Sequence, residues 1–241
     1  MNAHTRIPYA VQLRDLSRSF KGKTILDRVS LEIPRGQFVS LLGESGSGKT
    51  TLLRALAGLD DDAETRGEFD VPENTSVLFQ DSRLLPWKSV IENITLGLRR
   101  QDARPAALDM LNAVGLSDKS NVWPSTLSGG QKQRASLARS LIRSPELLLA
   151  DEPFGALDAL TRLRMQELLM RLVERERPTI ILVTHDVAEA LLLSDRILVL
   201  KDGRIAEDHL VSASHPRRSH DPKLISLRAK LLQSFGVAER V

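Results

Sequence analysis

Short apolar runs alternate with stretches of helical spacing along most of the chain. From Val11 to Ile33 the segments VQLRDLSRSF and TILDRVSLEI flank Lys21-Gly22-Lys23, which predicts an antiparallel β-hairpin at the start. After Pro34-Arg35-Gly36 the run QFVSLL ends at Gly43, and a helical pattern from Lys49 to Ala57 closes at Gly58, a residue suited to a helix C-cap. Further strand-like runs lie at Ser76 to Phe79, Leu147 to Ala150, Thr179 to Thr184 and Arg196 to Leu200. Helical patterns separate most of them, and this alternation predicts a mostly parallel sheet covered by helices.

One stretch breaks the alternation. From about Ser82 to Ser140 there is no strand-like run, and helical spacing shows at Val90, Ile91, Ile94 and Leu98 and again at Leu108, Leu111 and Val114. The expected organisation is a flexible N-terminus over 1–10, a core over 11–210 with a helical subdomain inserted at about 82–140, and a tail over 211–241. That tail reads as a basic loop, HPRRSHDPK, and an amphipathic helix with Leu224, Leu227, Leu231 and Phe235 on one side, an appendage to the core.

With 241 residues, 41% of them hydrophobic and 27% charged, the composition suits one globular domain or a domain with an insertion. No stretch of ~18 uncharged apolar residues occurs, so no transmembrane helix is expected. The most apolar region, Thr179 to Leu200, is interrupted by His185, Asp186, Glu189, Asp195 and Arg196. A balance of 34 Lys plus Arg against 31 Asp plus Glu is too even to argue for a nucleic-acid partner. Zero cysteines exclude disulfides, thiolate metal sites and thiol nucleophiles.

The chemistry begins at Gly43-Glu44-Ser45-Gly46-Ser47-Gly48-Lys49-Thr50, which fits GxxxxGK[ST] between a strand and a helix. Such a loop turns successive N–H groups and a helix N-terminus toward phosphates, while Lys49 supplies a charge and Thr50 a hydroxyl for Mg²⁺. Leu147 to Ala150 ends in two adjacent carboxylates, Asp151 and Glu152, followed by Pro153. Their mutual repulsion makes sense if Asp151 faces a metal and Glu152 polarises a water as general base; a solvated turn is the plain alternative. Gln80 and His185 also follow apolar runs, and ligands of open parallel sheets bind beyond the carboxyl ends of strands. In Leu127-Ser128-Gly129-Gly130-Gln131 two glycines lead into a helix, expected from Gln131 to Ile142, with Lys132 and Arg134 in its first turns. This is a second phosphate receptor or an ordinary serine N-cap. Two half-sites in one chain suggest a head-to-tail homodimer, with each phosphate group gripped by Gly43 to Thr50 of one copy and Ser128 to Gln131 of the other.

Together these motifs resemble an ATP-binding cassette, the motor subunit of an ABC transporter, from about Val11 to Leu210. GESGSGKT is similar to the family's Walker A, LLLADE to Walker B, LSGGQ to its signature sequence, Gln80 to the Q-loop, Gly155-Ala156-Leu157-Asp158 to the D-loop and His185 to the switch histidine. The resemblance implies a P-loop NTPase core with an antiparallel β subdomain and an inserted helical subdomain. It also implies that Phe20 stacks on adenine, that Gly43 to Thr51, with Thr51 included, binds ATP, and that Thr50, Gln80 and Asp151 hold Mg²⁺. Glu152 is then the catalytic base, assisted by Gln80 and by His185, which senses the γ-phosphate; Asp158 serves the dimer interface. Two departures stand out: Phe20 where many relatives have Tyr, and Gly155 where Ser is common.

The resemblance further implies that the region after Gln80, Asp81-Ser82-Arg83-Leu84-Leu85-Pro86-Trp87, docks a helix of an integral membrane permease subunit. SRLLPW resembles the nitrate, taurine and aliphatic sulphonate importers, and the tail is most similar to the aliphatic sulphonate group. Such a subunit sits peripherally on the cytoplasmic face of the inner membrane and works indirectly with a periplasmic or extracellular substrate-binding protein. A soluble P-loop kinase would not need LSGGQ, and a DNA-repair ATPase of this type would carry a long coiled coil or zinc-bearing insertion that the gap from Thr50 to Leu127 cannot house. His209, His215 and His220 are too irregularly spaced for a metal site.

Overall fold

The structure is a computed structural model that describes residues 9–60, 62–98, 103–217 and 220–237. In chain order its elements are β1 (Tyr9–Phe20), β2 (Lys23–Pro34), β3 (Phe38–Leu42), α1 (Lys49–Leu56), β4 (Glu64–Asp70), β5 (Thr75–Leu78), α2 (Val90–Ile94), α3 (Ala103–Ala113), α4 (Gly129–Leu141), β6 (Leu147–Asp151), α5 (Ala159–Glu176), β7 (Thr179–Val183), α6 (Val187–Leu193), β8 (Arg196–Lys201), β9 (Arg204–Leu210) and α7 (Pro222–Ser234). The chain divides into two compact units, one of residues 1–73 with 179–241 and one of residues 74–178.

The first unit holds an antiparallel sheet in the order β2-β1-β4. Its hairpin alternates as the sequence predicts: Leu13 pairs with Leu31 and Leu16 with Val29, and all four are buried. β4 is a departure, because all seven of its residues are exposed and ETRGEFD has no apolar alternation to announce a strand. It is held by backbone pairing, with Leu13 opposite Phe69, and by the exposed ion pair of Arg14 with Glu68 at 3.8 Å. The same unit carries parallel strands β7, β3 and β8, with Leu41 beside Val183 on one side and beside Leu198 on the other. β3 and β7 are buried along their whole length, as expected for strands covered on both faces. β9 was also not expected; it pairs antiparallel with β8 and alternates exposed and half-buried positions, so its apolar face is thin.

The tail helix α7 is integral to this unit. Leu224 and Leu231 are buried in one cluster with Leu42 of β3, Ala190 and Leu191 of α6, and Ile197 and Val199 of β8; Leu227 and Phe235 pack against it. The tail thus covers apolar surface that an appendage would leave in water, a gain of roughly 1.5–3 kcal/mol per buried leucine. Residues 1–8 of the expected flexible N-terminus, and Arg218 and Ser219 of the basic loop, lie outside the described residues, while Tyr9 and Ala10 already belong to β1.

The second unit is built on the parallel pair β5 and β6, with Leu78 beside Ala150. Its helices α2 and α3 bury Val90, Ile91, Ile94, Ala107 and Leu111. Leu108 is exposed, and Ala107 takes the inward position expected of it. α4 starts at Gly129 rather than Gln131, because Ser128 caps it and draws both glycines into its first turn. No helix among the described residues is long and apolar enough to cross a membrane.

Candidate phosphate-binding and hydrolytic site

In the first unit, β3 and β7 lie side by side and end together. Leu41 pairs with Val183, and the Thr184 N–H donates to the Leu41 carbonyl at 3.3 Å, so Gly43 and His185 leave the same edge of adjacent strands. The loop after β3 turns at Glu44, whose carbonyl accepts the Ser47 N–H at 3.2 Å, and is anchored where the Gly203 N–H donates to the Ser47 carbonyl at 3.1 Å. Gly48 is the N-cap of α1 with φ 105°, and a Cβ there would stand 2.9 Å from Leu26 Cδ2. Only glycine takes that backbone turn in that space. With no side-chain cap, the first N–H groups of α1 are directed out of the helix toward the loop.

Lys49 is buried, and its Nζ donates to the carbonyls of Gly43 and Glu44 at 2.7 Å each. The ammonium is held inside the curl of the loop, where a multiply charged anion would meet a fixed positive charge and a ring of N–H donors. Ser47 Oγ is buried without a hydrogen-bond partner, an acceptor or donor turned into the same loop. Thr50 is exposed and Thr51 half-buried in the first turn of α1; Glu44, Ser45 and Gly46 are exposed at the tip. Phe20 closes β1 and is half-buried.

His185 sits exposed between β7 and α6, on a main chain fixed from both sides. Thr184 Oγ1 donates to Glu189 Oε2 at 2.8 Å and accepts the Asp186 N–H at 3.0 Å, while Asp186 Oδ1 caps α6 through the N–H groups of Ala188 and Glu189.

The second unit repeats the strand-end arrangement. β5 and β6 place Gln80 and the Asp151-Glu152 pair beyond neighbouring carboxyl ends. Glu152 has φ 44°, a left-handed backbone that is strained for a residue with a Cβ and that persists only where the surroundings impose it. The turn is closed by the Gly155 N–H donating to the Glu152 carbonyl at 3.1 Å. A Cβ on Gly155 would lie 3.4 Å from Gln80 Nε2 and 3.7 Å from Glu152 Oε2, so these two side chains flank this glycine. A serine there would add a hydroxyl between them.

Ser128 forms a full capping box: its Oγ accepts the Gln131 N–H at 3.3 Å and its own N–H donates to Gln131 Oε1 at 2.9 Å. Each side chain therefore satisfies the other residue's main-chain N–H, and the amides of Gly129 and Gly130 are left for a ligand. Asp158 caps α5, its Oδ1 accepting the Thr161 N–H at 3.0 Å, and these hydrogen bonds hold its carboxyl below the usual carboxylate range. Ser128, Gln131, Asp158 and Thr161 line one cavity of about 780 Å³. α4 and α5 meet closely there, since a Cβ on Gly130 would stand 2.7 Å from Thr161 Cγ2.

Several supporting residues carried no signal in the sequence. Arg139 of α4 donates to the carbonyls of Arg83 and Ser82 at 2.7 and 2.8 Å, and burial lowers its pKa. Asn93, fully buried, accepts the Leu85 N–H at 2.7 Å and donates to the carbonyls of Leu85, Lys88 and Ser89. Between them these two side chains fix the segment after Gln80, in which Leu84 and Leu85 are half-buried and Trp87 is 69% exposed. A buried asparagine or a half-buried arginine looks in sequence like any polar helix position.

The donors expected for Mg²⁺ are the Thr50 hydroxyl, the Gln80 amide and the Asp151 carboxylate, all hard oxygen ligands and only one of them charged. No group of three or more His, Cys, Asp or Glu that could hold a metal occurs among the described residues. Thr50 lies in the first unit and Gln80 and Asp151 in the second; each is a ligand type that suits Mg²⁺, which keeps waters and takes substrate phosphate oxygens.

Residues 26–155 match the protein-family model for ABC transporter. The chain belongs to the ABC transporter family. Over 98% of its length it is 68% identical to "Aliphatic sulfonates import ATP-binding protein SsuB 1" of Paracoccus denitrificans, with 98% of that protein covered. A second relative, "Aliphatic sulfonates import ATP-binding protein SsuB" of Delftia acidovorans, is 67% identical over 95% of each chain. Among solved structures, the dimeric post-hydrolysis state of the ATP-binding cassette MJ0796 bound to ADP and Pi is similar with a TM-score of 0.72 and 31% identity, over 85% of this chain and all of that one. CbiO1 from Clostridium perfringens, part of an ABC transporter complex, gives 0.76 and 25% over 95% and 98%. For this ABC transporter family member the similarity to the Paracoccus protein spans both compact units.

Proposed function

We propose that this chain is the ATP-hydrolysing motor of an importer for aliphatic sulphonates. The observation that carries the motor reading is Lys49, buried in the loop between β3 and α1 and bonded to the Gly43 and Glu44 carbonyls. The cargo reading rests on the identity to the Paracoccus and Delftia proteins, because the cargo does not meet this subunit.

In this reading Phe20 stacks on adenine, the amides of Gly43 to Thr51 and the Lys49 ammonium bind the phosphates, and His185 hydrogen-bonds the γ-phosphate. Thr50, Gln80 and Asp151 hold Mg²⁺, which when bound neutralises charge on the transferring phosphoryl group. Glu152 takes the proton of a water aligned for in-line attack, with Gln80 beside it. The Ser128 to Gln131 turn of a second copy completes each site, with Asp158 at the shared interface. Two copies therefore close on ATP and part after cleavage, since the phosphate that bridges them is lost. The segment with Leu84, Leu85 and Trp87 receives a helix of the membrane permease, which holds the chain peripherally at the cytoplasmic face of the inner membrane. A substrate-binding protein on the far side delivers the cargo.

Two measurements test this. Ser128→Arg is expected to leave ATP binding by single copies intact and to abolish ATP-induced dimers in light scattering; dimers at wild-type concentration would contradict the shared site. Deletion of the encoding gene is expected to prevent growth on aliphatic sulphonates as sole sulphur source. Normal growth on sulphonates with failure on nitrate or taurine would move the cargo, and leave the motor reading standing.

A further inference from the structure

Gln133 is 3% exposed on α4, two residues beyond the last residue of LSGGQ. Its Nε2 donates to the carbonyl of Phe79 at 3.1 Å and to the carbonyl of Pro153 at 2.9 Å. Both neighbours are acceptors, so only the amide nitrogen can face them, and both of its N–H groups are used. Phe79 immediately precedes Gln80, and Pro153 immediately follows Glu152. One buried side chain therefore grips the main chain next to each of the two residues that flank Gly155.

The grip acts where the backbone needs it. Glu152 is left-handed, and a strained residue keeps its conformation only if adjoining peptides are held. The bond to Pro153 holds the peptide on its C-terminal side. Gln80 is held on its N-terminal side through Phe79, while Arg139, on the same helix, holds Ser82 and Arg83 beyond it. The helix capped by Ser128 is thus tied to the main chain on both sides of Gln80 and on one side of Glu152.

We propose that Gln133 is a positioning residue for hydrolysis: it sets the separation of the Gln80 and Glu152 side chains and ties both to the helix capped by Ser128. The assignment rests on the reading of Glu152 as the base. Gln133 touches no nucleotide, so its loss misplaces the attacking water's partners and leaves the phosphate loop as it is. Misplacement of about 1 Å costs on the order of 10²-fold in rate.

The test is Gln133→Met, which keeps the volume and removes both hydrogen bonds, in the full-length protein with ATP. The expected result is kcat lowered about 10- to 100-fold, with KM for ATP within about twofold of wild type. Rates are expressed per nucleotide-binding site, titrated with a fluorescent ATP analogue, so a partly folded sample does not mimic the effect. Gln133→Asn keeps the donor but is one methylene shorter and reaches one carbonyl; its kcat is expected to fall between the other two. A kcat within twofold of wild type in Gln133→Met overturns the proposal, as does a loss that follows only the number of binding sites or a rise in KM. If Gln133→Met does not fold, wild-type kcat in Gln133→Asn overturns it. Glu152→Gln in the same assay separates the two readings: normal hydrolysis by that variant removes the base assignment, whereas an inactive Glu152→Gln beside a fully active Gln133→Met removes only the role of Gln133.

Discussion

The Lys49 ammonium donates to the Gly43 carbonyl six residues earlier, at 2.7 Å, and so closes the phosphate loop on itself. The charge needed for phosphates is thus part of the loop's own framework. Lys49→Ala removes both roles. Loss of one charge-assisted hydrogen bond is worth about 1.5–3 kcal/mol, so ATP affinity is expected to fall at least tenfold in a fluorescence titration. Unchanged affinity would remove Lys49 from the binding site.

Glu152 carries the proposed chemistry on a strained backbone. Glu152→Gln is expected to lower steady-state ADP production by about 10² to 10⁴, the usual worth of a general base, while ATP-bound dimers persist in size-exclusion chromatography. The strain gives an independent check. Glycine takes the left-handed turn freely, so Glu152→Gly is expected to be more stable than Glu152→Ala by about 1 kcal/mol in urea unfolding. Equal stability would mean that the turn relaxes once the carboxylate is gone.

Gly130 and Thr161 are expected to be coupled. A methyl on Gly130 meets Thr161 Cγ2, and threonine is stiff at χ1, so Gly130→Ala is expected to destabilise the protein by about 1–3 kcal/mol, the range for overpacking. Thr161→Ser removes that methyl and is expected to recover most of the loss. A double-mutant cycle by thermal unfolding reads the interaction, and simple additivity would refute the contact.

Asp158 gives a pH signature. Its folded pKa is depressed by the hydrogen bonds of Thr161, so its contribution is complete above the unfolded carboxylate pKa and is lost as pH falls through the lower folded value. Asp158→Ala is accordingly expected to lower Tm at pH 7, with the difference from wild type shrinking as pH falls below the carboxylate range. A difference constant from pH 7 to pH 3 would show that the carboxylate does not act as the cap.

The parts of the fold legible in the sequence are those whose burial is regular. FVSLL and TIILV announce β3 and β7 because strands covered on both faces must be apolar throughout. β4 gave no such signal, since ETRGEFD is wholly exposed and its strand conformation comes from pairing with β1. Lys49, Thr50, Asp151, Glu152 and His185 stand out as candidates because phosphate chemistry calls for those residue types in the loops and helix starts that follow strand ends. Gln133, Arg139 and Asn93 do not, because what they bind is main-chain carbonyls and amides, which every residue carries. The glycines of LSGGQ looked like a loop before a helix; the Ser128 and Gln131 capping box draws them into it.

Leu42, the last residue of β3, shares its cluster with Leu224 and Leu231 of α7. The strand that launches the phosphate loop therefore rests on a footing laid by residues some 180 positions downstream. Shortening the chain ahead of Pro222 would strip that footing while sparing every residue proposed to face a nucleotide. Variants in the tail would then surface as faults in ATP handling, the more so because Ser234 and Phe235 line one cavity with Glu44 to Ser47 of the loop.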